Sequence, residues 1–300
     1  MLTTNEIFKQ QLSKGGTLHQ LTDEELSRMQ DTVLEIAKDV TAVCDRHGIP
    51  YTLGGGTALG AIRHQGFIPW DDDIDLNVEG RYISELCDYI EKELCDKYIL
   101  SVPCKTSGYY SMFVEVHKRG TIAREDAHTP DDISGIKIDI FSFENTYDDP
   151  ARRILHGLLC DGGSFLLSCM RMHLFKKEYL ALAGDNEKAK TIINIKSILG
   201  LIPALFPKLS LILVRHWHTM CRDNNSRYVT CPTGRRHFAG ELRSRSGFEQ
   251  TYGARFEDAE FRLSKDSKTY MVRLYGKDFM KLPPEEKREK HIVYELDFGD

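Results

Sequence analysis

The stretch LGGGTALGAIRHQGFIPWDDDIDL, residues 53–76, decides how this chain is read. A short apolar segment, Tyr51–Leu53, runs into three consecutive glycines, Gly54–Gly56. A helical pattern follows from about Thr57 to His64 and stops near Gly66. After Pro69 and Trp70 the chain turns acidic. Ile74, Leu76 and Val78 then alternate with Asp73, Asp75 and Asn77, the period-two pattern of a strand. A glycine turn ahead of a helix lets backbone N–H groups approach phosphate oxygens, and a helix N-terminus favours an anion. Glycines alone say little, because tight turns need them for steric reasons.

The acids supply what the glycines lack. Asp73 and Asp75 are two apart, so on a strand they face the same side. Two carboxylates on one face repel unless a cation bridges them, and hard oxygen ligands suit Mg²⁺ or Mn²⁺. Asp139 is a third acid, set with Lys137 between Ile136, Ile138 and Ile140 on another alternating segment. An aspartate there is costly unless it is ion-paired or holds a metal. With the glycine turn and Asp73–Asp75 in the same half of the chain, the metal reading is preferred. Asp71 and Asp72 deepen the negative potential, and Asp71 suits the turn after Pro69–Trp70.

Working outward, Thr22 and Glu25 form a capping-box pattern that opens a helix. Leu26, Met29, Val33, Ile36, Val40 and Val43 give it one apolar stripe, and Gly48 ends it. Helical spacing resumes over residues 81–97, and Tyr110, Met112, Val114 and Val116 alternate as a strand. From 150 to 223 the patterns are helical. Ile198–Val214 is apolar apart from Lys208 and contains Pro203 and Pro207. It is short for a bilayer span, so a buried helix pair or a membrane-surface contact is expected. Residues 231–263 read as loop-rich. A last helix runs from about Asp266 to Tyr275 and stops at Gly276, and EEKREK after Pro283–Pro284 reads as a solvated helix face. The expected class is α/β, more closely α+β, with a core at 1–148 and a mainly helical region at 149–300 packed on it.

The chain has 300 residues, 41% of them hydrophobic, and a net charge of −5. That acidic balance argues against bulk nucleic-acid binding, which needs many phosphate-neutralising Lys and Arg. The eight cysteines form no CxxC pair, and several are expected in the core. The opening MLTTNEIFKQ lacks a charged start followed by an apolar run, so the cytosol is the expected compartment.

A glycine turn, Asp-x-Asp on the next strand and a third Asp on a later strand resemble the DNA polymerase β-type nucleotidyltransferase superfamily. The form found here is similar to the LicD family of phosphocholine transferases, which is related to the fukutin-related proteins. HKRGT at 117–121, KIDIFSF at 137–143 and YGKDFMKLPPEEKREKH at 275–291 extend the similarity. The resemblance implies a polymerase β-type core that moves a phosphoalcohol from a CDP-alcohol, typically CDP-choline. The acceptor would be a sugar hydroxyl of a glycan, a lipid-linked glycan or a teichoic acid precursor, and CMP would be released. Asp73, Asp75 and Asp139 match the family's catalytic and metal-binding acids, with Mg²⁺ or Mn²⁺ as cofactor. Gly54, Gly55, Gly56 and Thr57 match the phosphate-contacting turn. Arg63 is a candidate for the diphosphate, and Arg288 and His291 lie in the C-terminal match. Trp70 offers an aromatic face for a quaternary ammonium, beside its plainer role of packing under the Pro69 turn. The partners so implied are donor and acceptor, no nucleic acid, and a peripheral membrane contact through 198–214 from the cytoplasmic side. The same acids would also serve transfer of a nucleoside monophosphate from an NTP, which releases pyrophosphate instead of CMP. A non-catalytic scaffold in glycan synthesis is a further alternative.

Overall fold

The structure, a computed structural model, describes residues 19–125, 129–285, 288 and 292–299. Helix α1 (Asp23–His47) begins with the capping box read from the sequence. The Thr22 side chain accepts from the Glu25 N–H, and the Glu25 carboxylate accepts from the Thr22 N–H. Gly48 takes φ +66 and its N–H donates to the Cys44 carbonyl, which closes the helix. Met29, Val33, Ile36, Val40 and Val43 are buried, as their spacing requires.

The next elements are β1 (Tyr51–Leu53), α2 (Gly55–Arg63), β2 (Asp75–Glu79), α3 (Gly80–Glu93), β3 (Tyr98–Ser101), β4 (Val114–Lys118) and β5 (Lys137–Thr146). The strands lie in the order β1-β2-β5-β4-β3. Only β2 and β5 pair in parallel. Ile138 and Ile140 face the same side as Leu76, Val114 and Val116, in one apolar core with the stripe of α1. The opposite face carries Asp75, Asn77, Glu115, His117, Lys137 and Asp139. Several boundaries differ from the sequence reading. Helix α2 already begins at Gly55, and β2 begins at Asp75, which leaves Asp73 and Ile74 in the loop ahead of it. Helix α3 stops at Glu93, and Tyr98–Ser101 pairs with β4 as an extra strand. Tyr110 and Met112 lie ahead of β4, outside the ladder.

Helices α4 (Pro150–Leu174), α5 (Lys176–Ala183), α6 (Glu187–Leu199), α7 (Leu201–Leu205) and α8 (Pro207–His218) form the helical region. Leu167, Met170, Leu211 and Val214 give it a small core of its own. Pro207 opens α8 instead of breaking a helix, because a first-turn proline lacks only an N–H that would be unpaired anyway. The buried-pair expectation for Ile198–Val214 does not hold: most of its large apolar side chains are exposed. Among the described residues no helix is long and apolar enough to cross a membrane.

Strands then return. β6 (Tyr228–Thr230) pairs with the end of β5, and β7 (Arg243–Ser244) pairs with β6. β8 (Thr251–Phe256) and β9 (Ala259–Ser264) form a hairpin where the sequence read as loop-rich. Its turn, Glu257–Asp258, has no Gly, Asn or Pro to signal it, and Glu257 takes φ +55. The Ser264 N–H donates to Thr52 Oγ1 at 2.9 Å, tying the hairpin to β1. α9 (Ser267–Tyr275) ends at Gly276, and Phe256, Phe261, Met271 and Leu274 enter the main core. Six of the eight cysteines are buried. His291 and most of EEKREK lie outside the described residues.

Candidate active site

The glycine turn rests directly on the acids. Gly54 is the N-cap of α2 and offers no capping side chain. Its N–H donates to the Asp75 carbonyl at 2.9 Å, and the Asp75 N–H donates to Thr57 Oγ1 at 2.8 Å. Thr57 is buried, so its hydroxyl serves as a strut between α2 and β2. Gly55 has φ +42, and a Cβ there would lie 2.4 Å from Asp75 Oδ2. A Cβ on Gly56 would lie 2.8 Å from Asp71 Oδ2, and one on Gly54 would lie 2.6 Å from Asn77 Oδ1. The three glycines are therefore required by the side chains beneath them, and Gly55 also by its backbone angle. From the other side, Gln30 of α1 donates to the Asp71 carbonyl at 2.7 Å and steadies the acidic loop.

Asp75 and Asp139 are direct neighbours in the parallel ladder, and the Asp139 N–H donates to the Ile74 carbonyl at 3.1 Å. Burial, then the charges of Asp73, Asp139 and Asp71, push the Asp75 carboxyl well above the usual range, with Lys137 opposing. Burial also raises Asp139, to about 7; Lys137 pulls it back while Glu115, Glu125 and Asp73 add to the rise. Lys137 Nζ lies 2.7 Å from Glu115 and 3.3 Å from Asp139. Glu115 is lowered to about 2: burial opposes, but Lys137 and His117 prevail. Asp139 thus makes the ion pair that the sequence offered as the alternative to a metal, with the half-buried Lys137, and it also lies beside Asp75. Hard carboxylates are the donor type that a divalent cation such as Mg²⁺ or Mn²⁺ takes, and Asp73, Asp75 and Asp139 are the residues of that type here. Among the described residues no three His, Cys, Asp or Glu side chains stand close enough to hold a metal ion as they are placed.

A cavity of about 770 Å³ opens over this floor. Gly55, Gly56, Asp71, Asp73, Asp75 and Asn77 line one side, together with Arg63 and Trp70. Asp139 lies behind, outside the lining. The other wall comes from the second half of the chain: Cys231, residues 233–235, Glu241, Tyr270, Tyr275 and, in the segment 278–284, Asp278, Phe279 and residues 281–284. Burial and then the charges of Asp75, Asp71 and Asp73 raise the Tyr275 hydroxyl, against Arg235, so the acids act on this wall as well. Arg63 donates through Nη1 to the Phe279 carbonyl at 2.9 Å, and so holds that segment as well as facing the cavity. The Arg288 guanidinium stacks on the Trp70 ring at 4.6 Å, so one of the chain's own cations already occupies a face of that aromatic.

The sequence reading missed Asn77 and the part of the second wall that lies before Tyr275. Asn77 is only 3% exposed, and its Nδ2 has no hydrogen-bond partner among the described residues. The sequence signal was available, since Asn77 continues the Asp73, Asp75 alternation on a strand otherwise suited to burial. Of the second wall, Tyr275 and the residues after it fall within the similarity at 275–291; Thr233, Arg235, Glu241 and Tyr270 gave no signal, because they reach the site only through tertiary packing.

The segment that builds this floor is similar in sequence to known proteins. A family model described as LicD/FKTN/FKRP, nucleotidyltransferase domain, matches residues 48–150, the segment that holds the glycine turn and all three acids. The chain is 27% identical over 285 residues to the lipopolysaccharide cholinephosphotransferase LicD of Haemophilus influenzae, covering 90% of this chain and 97% of that protein. A shorter match, 48% identical over 44 residues, is to the human ribitol 5-phosphate transferase FKRP, covering 15% of this chain and 9% of that protein. An uncharacterized protein of Rickettsia prowazekii is 34% identical over 64 residues, 19% of this chain and 24% of its own length.

Proposed function

We propose that this chain, which carries a LicD/FKTN/FKRP nucleotidyltransferase domain, moves a phosphoalcohol, in the first instance phosphocholine, from a CDP-alcohol to a sugar hydroxyl of a cell-surface glycan or teichoic acid precursor. It is a LicD-like transferase of phosphorus-containing groups. The observation that carries the reading is the contact between the glycine turn and Asp75 on the floor of one cavity. Phosphoryl transfer needs positioning and charge neutralisation more than covalent chemistry; the glycine turn supplies the first, and a cation on the acids would supply the second. Asp73 and Asp75 would hold Mg²⁺ or Mn²⁺, with Asp139 beside them; the cation would neutralise the diphosphate and ease departure of CMP.

The chain's own residues do the rest. The first turn of α2 cradles the diphosphate, and Arg63 adds positive charge at the rim. The acceptor oxygen forms a bond to the phosphorus that bears the alcohol. The bond from that phosphorus to the bridging oxygen breaks, and CMP leaves with the electron pair. The acceptor's proton passes to the acid cluster, in which Asp139, behind the lining and paired with Asp75 in the ladder, has the raised affinity for protons.

The test is to supply the purified protein with Mg²⁺ and a panel of CDP-alcohols, CDP-choline, CDP-ethanolamine and CDP-ribitol, and to follow CMP. CMP together with a phosphoalcohol-modified glycan supports the reading. Pyrophosphate from an NTP, with every CDP-alcohol untouched, replaces it with nucleotidyl transfer.

A further inference from the structure

The end of α6, with α7 and α8, presents an apolar surface that nothing among the described residues covers. Ile202 is 75% exposed and Ile198 72%, and Leu205, Phe206, Leu209 and Ile212 are exposed beside them. On α8, Ser210, Leu211, Val214 and His218 turn inward, while Leu209, Ile212 and Leu213 turn outward. A helix that is apolar all round needs cover on both faces. Here the protein supplies it on one.

The charge of this region identifies the cover. Residues 150–218 contain ten Lys and Arg against four Asp and Glu, a local balance of +6 in a chain whose total is −5. The remainder therefore carries −11. Lys188, Lys208 and His216 are exposed on the same helices as the apolar side chains. A second copy docking through this face would set +6 against +6, and the acidic remainder would be repelled by any anionic surface. An anionic bilayer fits both features: apolar side chains enter the acyl boundary while Lys and Arg meet the headgroups.

We propose that α6–α8 form a docking surface for an anionic lipid bilayer, on which the protein lies without spanning it. The acidic core then points away from the membrane, and apolar insertion and charge both contribute to binding. This inference does not depend on the reaction assigned above, and its test has no activity readout.

The experiment is flotation of the full chain with phosphatidylglycerol-containing vesicles and with pure phosphatidylcholine vesicles. The protein should float with the anionic vesicles, and the bound fraction should fall at least about fivefold as salt rises from about 0.1 M to about 0.5 M. The triple variant Ile202→Glu, Leu205→Glu, Leu209→Glu should lower partitioning by about a hundredfold or more. Its substitutions are exposed, so its far-UV circular dichroism and melting temperature should match the parent. Lys188→Glu with Lys208→Glu should weaken binding to anionic vesicles alone. No flotation, or flotation unchanged by the triple variant, overturns the proposal. So does concentration-dependent self-association in lipid-free solution that the same triple variant abolishes, which would assign the face to a second copy.

Discussion

Replacing Asp139 by Asn should stabilise the metal-free protein while destroying its activity. Asp139 is pushed from about 3.8 to about 7, chiefly by burial. A carboxyl whose pKa rises on folding makes stability fall with pH. Below about pH 4 it is protonated in both states and costs nothing. Between about 4 and 7 the folded state holds a proton that the unfolded state has released, and the cost grows. Above about 7 the cost is complete, with a ceiling of about 4 kcal/mol for three pKa units. The neutral amide of Asp139→Asn removes it. Lys137 then loses its 3.3 Å partner but keeps Glu115 at 2.7 Å. In EDTA at pH 8 the variant should therefore be about 1–4 kcal/mol more stable than the parent, a rise of several degrees in melting temperature for a chain of this size. The difference should vanish as the pH approaches 4. Added Mg²⁺ should raise the parent's melting temperature and leave the variant's nearly unchanged, while CMP release falls to background. Thermal scans in EDTA and in Mg²⁺, from pH 4 to 8, measure all of this. A variant no more stable than the parent at pH 8, or one that gains as much from Mg²⁺, would refute the account of the acid cluster.

Asn77→Val removes a buried amide that lacks a partner, so stability should hold or rise by up to about 1 kcal/mol while the KM for the donor rises about tenfold; an unchanged KM would show that Asn77 does not meet substrate. Gly55→Ala puts a Cβ 2.4 Å from Asp75 Oδ2 at φ +42, and kcat should drop by about a hundredfold, with about 1–2 kcal/mol lost in urea unfolding. Wild-type turnover in Gly55→Ala would mean that the turn has no part in the chemistry. Burial, with Arg215 and His156 adding to it, lowers the His218 imidazole to about 4, so the unfolded state takes up a proton that the folded state refuses as pH falls below about 6.5. Up to about 3 kcal/mol is lost by pH 4, and His218→Phe should flatten that slope in acid-unfolding curves unless another group sets it.

What the sequence disclosed and what it withheld follow the range of the interactions concerned. Thr22, Glu25 and Gly48 act over one helical turn, and all three perform as read. The order of turn, helix and strand from Gly54 through Asp75 was also legible, but the strand starts only at Asp75, so Asp73 sits in the loop before it and strand alternation does not set its face. The pairing of Asp75 with Asp139 is different in kind, because sequence supplies alternation but not register between strands 64 residues apart. The hairpin of β8 and β9 was hidden because its turn uses Glu257 where Gly or Asn is usual. Ile198–Val214 shows the opposite failure. Apolar composition states that a surface must be covered, and it does not state by what. The expectation of burial assumed that the chain itself would be the cover.

The division between the two cavity walls bears on specificity. Residues 48–150 hold the glycine turn, Asp73, Asp75 and Asp139, and the family model matches that segment. Thr233, Gly234, Arg235, Tyr270 and Tyr275, across the cavity, all lie beyond it. Chemistry at a diphosphate needs only the first wall. The choice among alcohols needs groups that touch the part of the donor farthest from the nucleotide, and the first wall has few to spare. Its glycines have no side chains, its acids crowd one another, and one face of Trp70 is covered by Arg288. The second wall has two tyrosines, and Arg235 stands 5.7 Å from the Tyr275 ring centre. Relatives named for choline phosphate and for ribitol 5-phosphate share sequence with this chain. A common floor facing a wall that differs would allow one reaction to serve both donors. In this chain, substitutions at Tyr270 and Tyr275 are therefore the ones that should change the donor without changing the chemistry.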